Sequence, residues 1–236
     1  MAPGQFQRTR WSLVQRAAAT DPDVAGRARS ELCELYWYPI YAYVRRSGYG
    51  AEDAKDHTQE FFLEILRRED FRKVNRNLGK LRSYLLTAVN NHLSSERRKA
   101  GARKRGGGVA PLSIDQARAE EQYALEPVDD HSPDKLYERR WALTILQRAM
   151  ETLEADFERR GRTAELETLL PFLSWNSGED YDGAAAALGV KPGAVRVAVY
   201  RLRKRYRQAL IDEIAHTVPE ASDIEEELGF LMQALG

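Results

Sequence analysis

An all-α fold is predicted by three features of this sequence. Apolar residues recur at three- and four-residue steps, no segment alternates convincingly with period two, and glycines close the periodic runs at 48, 106–108, 161 and 189. The expected architecture is two small helical domains on an acidic flexible linker. Residues 11–105 form the first domain, 106–133 the linker, 134–210 the second domain, and 211–236 an acidic amphipathic tail.

The elements follow in order. Trp11 to about Ala19 reads as a short amphipathic helix. Ala25–Ser47 carries Leu32, Leu35, Tyr36, Ile40, Tyr43 and Val44 at helical spacing, and Pro39 inside it predicts a kink. Gly48 and Gly50 end that run. Glu52–Arg68 is the next helix, with Phe61, Phe62, Ile65 and Leu66. A polar loop, Glu69–Lys80, leads to a helix from Leu81 to about Arg98 along Leu81, Leu85, Ala88 and Leu93. Val109–Pro133 has three prolines, many acids and no sustained period, so it reads as mostly extended or disordered. A long helix runs from near Asp134 to about Arg160 with Trp141, Ile145, Leu146, Ala149 and Leu153 on one face. Ala164–Trp175 follows.

The most informative segment is 178–207. A small-residue helix stops at Gly189, a turn Val190-Lys191-Pro192-Gly193 follows, and a second helix becomes steeply basic. This is the layout of a helix-turn-helix. Ala185, Leu188, Val190, Val195, Val199 and Leu202 occupy the positions that pack the two helices. Pro192 is tolerated in the first helical turn, where its missing N–H has no intrahelical partner to lose. Lys191, Pro192, Gly193, Arg196, Val197, Tyr200, Arg201 and Lys204 are the candidate DNA-facing residues.

Net charge is zero, from 36 basic and 36 acidic side chains, but the charges are segregated. Lys191–Gln208 contains seven basic residues and no acid; Arg97–Arg105 contains six and no acid. Two such blocks fit two contacts with a polyanion. The acids concentrate in 115–134 and in the tail. Cys33 is the only cysteine, which excludes an intrachain disulfide and fits a reducing cytosol. No apolar run approaches the roughly 20 residues of a membrane span. The N-terminus lacks a signal pattern, so a cytoplasmic protein with no membrane contact is expected.

Asp53, Asp56 and Glu60 share one helical face, edged by aromatics, which suits docking to a basic helical partner. His57, Asp56 and Glu60 are neighbours, but no second histidine stands at i+4, so no metal site is expected, and no cofactor. An enzyme is not expected either. There is no nucleophile–base arrangement, His57, His92, His131 and His216 are scattered, and the glycine triplet lies in a linker rather than a strand–helix turn.

Three motifs, in this order, resemble those of bacterial extracytoplasmic-function sigma factors, the smallest RNA polymerase sigma subunits. Asp53-Ala54-Lys55-Asp56-His57-Thr58-Gln59-Glu60-Phe61-Phe62 resembles the family's motif for the polymerase clamp helices. Leu81 through Lys99 resembles its −10 helix, and 181–207 its −35 helix-turn-helix. The resemblance spans roughly Ser12–Gln208. It implies a non-enzymatic specificity subunit whose partners are core RNA polymerase, through the β′ clamp helices and β flap, and promoter DNA. Asp53, Asp56, Gln59, Glu60 and Phe62 would dock on polymerase. The loop 71–80, with Arg72, Lys73, Asn75, Arg76 and Asn77, would receive a flipped −10 base. Arg82, Asn90, Asn91, Arg97, Arg98 and Lys99 would grip the strand. The linker would thread the polymerase cleft, its acids mimicking nucleic acid.

Lys55 stands where the family usually has an acid, and His57 where it usually has Leu or Val. A weakened acidic face suggests that phosphorylation of Thr58 by a Ser/Thr kinase restores charge there, and that Thr58→Glu raises polymerase binding. An anti-sigma factor is the other implied regulator. The alternative reading is a one-component regulator that binds an operator without polymerase. The tail, with Ile224, Leu228, Leu231, Met232 and Leu235 at helical spacing, is expected to pack back on the second domain, or else to cover its basic helix.

Overall fold

The computed structural model describes residues 12–17, 19–67, 79–100, 116–125, 132–174 and 180–236. Every regular element among them is a helix, so the chain is all-α. The elements are α1 (Ser12–Ala17), α2 (Pro22–Arg46), α3 (Ala51–Arg67), α4 (Leu81–Ala100), α5 (Gln116–Ala124), α6 (Pro133–Arg159), α7 (Thr163–Leu169) with a 3₁₀ turn at Leu170–Leu173, α8 (Tyr181–Leu188), α9 (Pro192–Ala215) and α10 (Ile224–Leu235). None of them is long and apolar enough to cross a membrane. Contacts divide the chain into two compact units: Met1–Thr144 with Ala215–Gly236, and Ile145–Ile214.

Local signals in the sequence set most of the helix ends. Asp21 caps α2 by accepting from the Asp23 and Val24 N–H groups at 2.9 and 3.3 Å, and Pro22 supplies a ready-made first-turn φ. The helix continues through Pro39 to Arg46. Gly48, at φ 97°, then adopts a backbone that other residues avoid.

The first unit is built around α2. Leu32, Tyr36, Ile40 and Val44 are fully buried, as are Phe62 of α3, Leu85 and Val89 of α4, and Tyr137 and Trp141 of α6. Each such side chain contributes about 1.5–3 kcal/mol by leaving water. Cys33 is buried in the same core, and burial, reinforced by Glu34, pushes its thiol up to about 11. It is an inert core residue.

Two segments depart from the sequence expectation. Gln116–Ala124, expected to be extended or disordered, is the helix α5. Its Glu120 accepts hydrogen bonds from the Tyr41 hydroxyl and from Arg45, and Tyr123 lies under the Arg45 guanidinium at 4.7 Å. Burial alone would raise the Glu120 carboxyl, but these two donors outweigh it and hold it below the usual range. Glu120, an acid assigned to the expected linker, is therefore a partner of α2.

The tail is the second departure. Expected on the second domain or over its basic helix, it belongs to the first compact unit. The Thr217 carbonyl accepts from the Leu81 N–H at 3.0 Å, satisfying one of the unpaired donors at the start of α4. Glu227, expected on the solvated acidic side of α10, is 0 % exposed. It accepts from Arg82 Nε at 2.5 Å and lies 2.9 Å from Lys80 Nζ. Phe230 stacks 3.4 Å from the same guanidinium.

The second unit has its own core. Leu153 and Phe157 of α6, Leu166 and Leu169 of α7, Phe172, Ala184 and Ala185 of α8, and Val195, Val199 and Leu202 of α9 form one buried cluster.

Candidate nucleic-acid interface

The helix-turn-helix is built by short-range chemistry. Asp180 caps α8 by accepting from the Gly183 N–H at 2.7 Å. A Cβ at 183 would fall 2.1 Å from the Asp180 carboxylate, so glycine fits that cap best. Gly189 closes α8 at φ 65°, and the Val190 N–H returns to the Ala185 carbonyl at 3.0 Å. Ala184 and Ala185 let α8 approach α9 closely, and Val195, Val199 and Leu202 fill the contact. Leu188 packs partly against it. Val190 does not; it sits in the turn and is exposed.

With the apolar stripe of α9 turned inward, Lys191, Pro192, Gly193, Arg196, Val197, Tyr200, Arg201 and Lys204 all lie exposed. Tyr200 is 68 % exposed and Val197 48 %, high for apolar side chains on an ordered helix. Arg196 is steadied over the Tyr181 ring at 5.1 Å. Arg203 and Arg205 serve the fold instead: Arg203 donates to the Phe172 carbonyl at 2.8 and 3.1 Å, and Arg205 covers Phe157. The outer face of α9 thus offers guanidinium and lysine donors, an aromatic and a methyl-bearing side chain, groups of the kind that read a DNA major groove.

In the first unit, Asn90, Asn91, Arg97, Arg98 and Lys99 are exposed on α4. Arg97 is held by the Ser47 carbonyl and the Tyr49 hydroxyl, both at 3.2 Å. Lys99 pairs with Glu96 at 2.7 Å. Arg82 departs from the expectation that it grips DNA. It is 7 % exposed, and its guanidinium is taken by Glu227 and Phe230. The tail that competes for it could not be read from the α4 sequence. Arg72, Lys73, Asn75, Arg76 and Asn77 lie outside the described residues.

On α3, Asp53, Asp56 and Glu60 are exposed, and Gln59 is half-buried beside them. Phe62 is not a surface anchor; like Phe61 it is buried in the core and supports the helix from beneath. Thr58 is 0 % exposed, and its hydroxyl donates to the Ala54 carbonyl at 2.7 Å. The hydroxyl expected to accept a phosphoryl group is therefore not presented at the surface of α3.

A cavity of about 260 Å³ lies between α3 and α4, lined by Phe61, Glu64, Tyr84, Asn91, His92 and Lys99 among others. Sequence reasoning passed over His92 as an isolated histidine. The structure brings it to His57 and Glu60 of α3. His57 stands where the resembled family has Leu or Val, and α4 brings His92 beside it.

Among known proteins, the chain is similar to the ECF RNA polymerase sigma factor SigE of Mycolicibacterium smegmatis, at 26% identity over 204 residues, which covers 86% of this chain and 69% of that protein. No family model matches the chain. No solved structure matches it. Taken with the all-α fold and the order of the motifs, that similarity supports the extracytoplasmic-function sigma-factor family for this chain.

Proposed function

We propose that this protein is a sigma subunit that binds core RNA polymerase and directs initiation at promoters with paired −10 and −35 elements. The observation that carries the reading is the outer face of α9, where all eight residues expected to meet DNA are exposed and no acid intervenes. The similarity to a named sigma factor supports the same role. The acidic face of α3 is the polymerase contact, offered by Asp53, Asp56 and Glu60 with Gln59 beside them. Asn90, Asn91, Arg97, Arg98 and Lys99 of α4 contact the −10 region. The protein works in the cytoplasm, where both partners are.

Two reading heads on one polypeptide make the distance between promoter elements part of recognition. Charge steering by α9 brings the duplex in, and base contacts then select the sequence.

Selection of duplexes from a random library by polymerase carrying this subunit tests the reading. Arg196→Ala should cost about 1–3 kcal/mol, roughly 5–150-fold, at one base position and relax specificity there. Lys204→Ala should weaken binding across sequences and lower the salt slope by about one. Unchanged selection by Arg196→Ala would remove α9 as the reading helix. Tight, specific operator binding by the chain alone would favour a polymerase-independent regulator.

A further inference from the structure

We propose that His57, Glu60 and His92 form a binding site for a divalent first-row transition metal ion, of the zinc class, that ties α3 to α4. The ligand atoms of these three residues all lie within 4.8 Å of one another. His57 and Glu60 come from one turn of α3; His92 comes from α4, which packs beside it.

The two imidazoles are placed as ligands rather than as filled core positions. His92 Nδ1 donates to Glu64 Oε2 at 3.0 Å. That leaves Nε2 as the ring nitrogen for an ion, and it is buried without a hydrogen-bond partner. A carboxylate holding the far nitrogen of a histidine is the usual support for a metal-ligating imidazole, because it fixes the tautomer and raises ligand basicity. His57 Nδ1 is likewise buried without a partner, 3.9 Å from Glu60 Oε2. Buried polar atoms left unpaired are costly, and here two fall in one cluster with a carboxylate at its rim. An ion would satisfy both.

The donor set fits the chemistry. Two neutral imidazoles and one carboxylate, with a fourth position open, suit zinc and its neighbours rather than calcium or magnesium. Metal–ligand bonds of about 2.0–2.2 Å require the donors to close by roughly an ångström from their present spread. The exposed Glu60 side chain can supply most of that by rotation.

The consequence for function rests on the sigma-factor reading, while the site itself does not. Glu60 belongs to the acidic face of α3. A bound ion would draw its carboxylate inward and cancel its charge, so metal occupancy would weaken that face.

The probe is Co²⁺ added to the full chain, followed by its visible d–d absorption and by displacement with Zn²⁺. The expected result is one ion per chain, with the intense bands of a low-coordinate site. Zn²⁺ at a hundred times its Kd should raise the folded-to-unfolded ratio about 100-fold in a thermal melt. His57→Leu and His92→Gln should each abolish the bands. Glu64→Gln should weaken binding 10–100-fold by loosening His92 alone. Glu60→Gln, at an exposed position, covers the case in which a histidine variant fails to fold, and should also weaken binding at least tenfold. No saturable absorption up to millimolar Co²⁺ would overturn the proposal, and so would unchanged binding in folded His57→Leu, His92→Gln and Glu60→Gln proteins. Neither outcome touches the polymerase assay, so failure of the metal site is distinguishable from failure of the sigma-factor reading.

Discussion

Glu227→Ala should destabilise the protein by about 3–5 kcal/mol, the cost of stripping one partner from a buried ion pair. At about 2–4 °C per kcal/mol for a unit of this size, the melting temperature should fall by roughly 6–20 °C. The reason lies in what remains. Arg82 is 7 % exposed, so removal of Glu227 leaves its guanidinium between Trp141 and Phe230 with only the more distant Glu138 carboxylate, at 3.7 Å, while Lys80 keeps Glu226 at 2.9 Å. The pair itself is worth far less than its disruption, because both charges were desolvated to make it. Arg82→Met combined with Glu227→Leu should therefore recover most of the loss. A loss below about 1 kcal/mol for Glu227→Ala would mean that the pair is wet, and that α10 does not sit on α4. This also governs how tail deletion is interpreted. Removing 219–236 exposes core as well as freeing Arg82, so altered promoter activity in that deletion does not by itself establish inhibition by the tail.

Thr58→Glu should be the more damaging single change on α3. The sequence reading expected it to strengthen polymerase binding. The buried hydroxyl, bonded to the Ala54 carbonyl, reverses that expectation. A carboxylate there is buried, and the Ala54 carbonyl that the hydroxyl bonds is an acceptor that cannot pair with it; an unpaired buried charge is among the few substitutions that cost more than about 4 kcal/mol. Polymerase binding should fall with the folded fraction in circular-dichroism melts. Thr58→Ala loses one local hydrogen bond and should cost about 1 kcal/mol. Native-like stability in Thr58→Glu would show that the residue is accessible and would restore phosphorylation as a mechanism.

Helix positions were legible because their causes are local. Glu52–Arg68 was expected and Ala51–Arg67 is found; Leu81–Arg98 was expected and Leu81–Ala100 is found. Periodicity marks the bodies of these helices, and capping or left-handed residues such as Asp180 and Gly189 mark their ends. The outer face of α9 was legible for the same reason, since burying Val195, Val199 and Leu202 leaves Arg196, Val197 and Tyr200 outside. What escaped depends on partners distant in sequence. Glu227 was expected among the acids opposite the apolar stripe of α10, and nothing near it in sequence names Arg82 as its counter-ion. Glu120 looked solvated until Tyr41 and Arg45 were placed beside it. Phe62 looked like an edge of the acidic face because pattern alone does not tell a helix's rim from its core. His92 needed α3 beside it before it meant anything.

Transcription in vitro tests the central claim most directly. Purified core RNA polymerase, a mixed promoter library and this chain should yield initiation that depends on the chain and selects one promoter class. Asp53→Lys combined with Asp56→Lys should abolish that initiation while leaving the fold intact, because both side chains are exposed on α3. A folded chain that supports no initiation at any promoter, yet binds a specific duplex tightly by itself, would contradict the account.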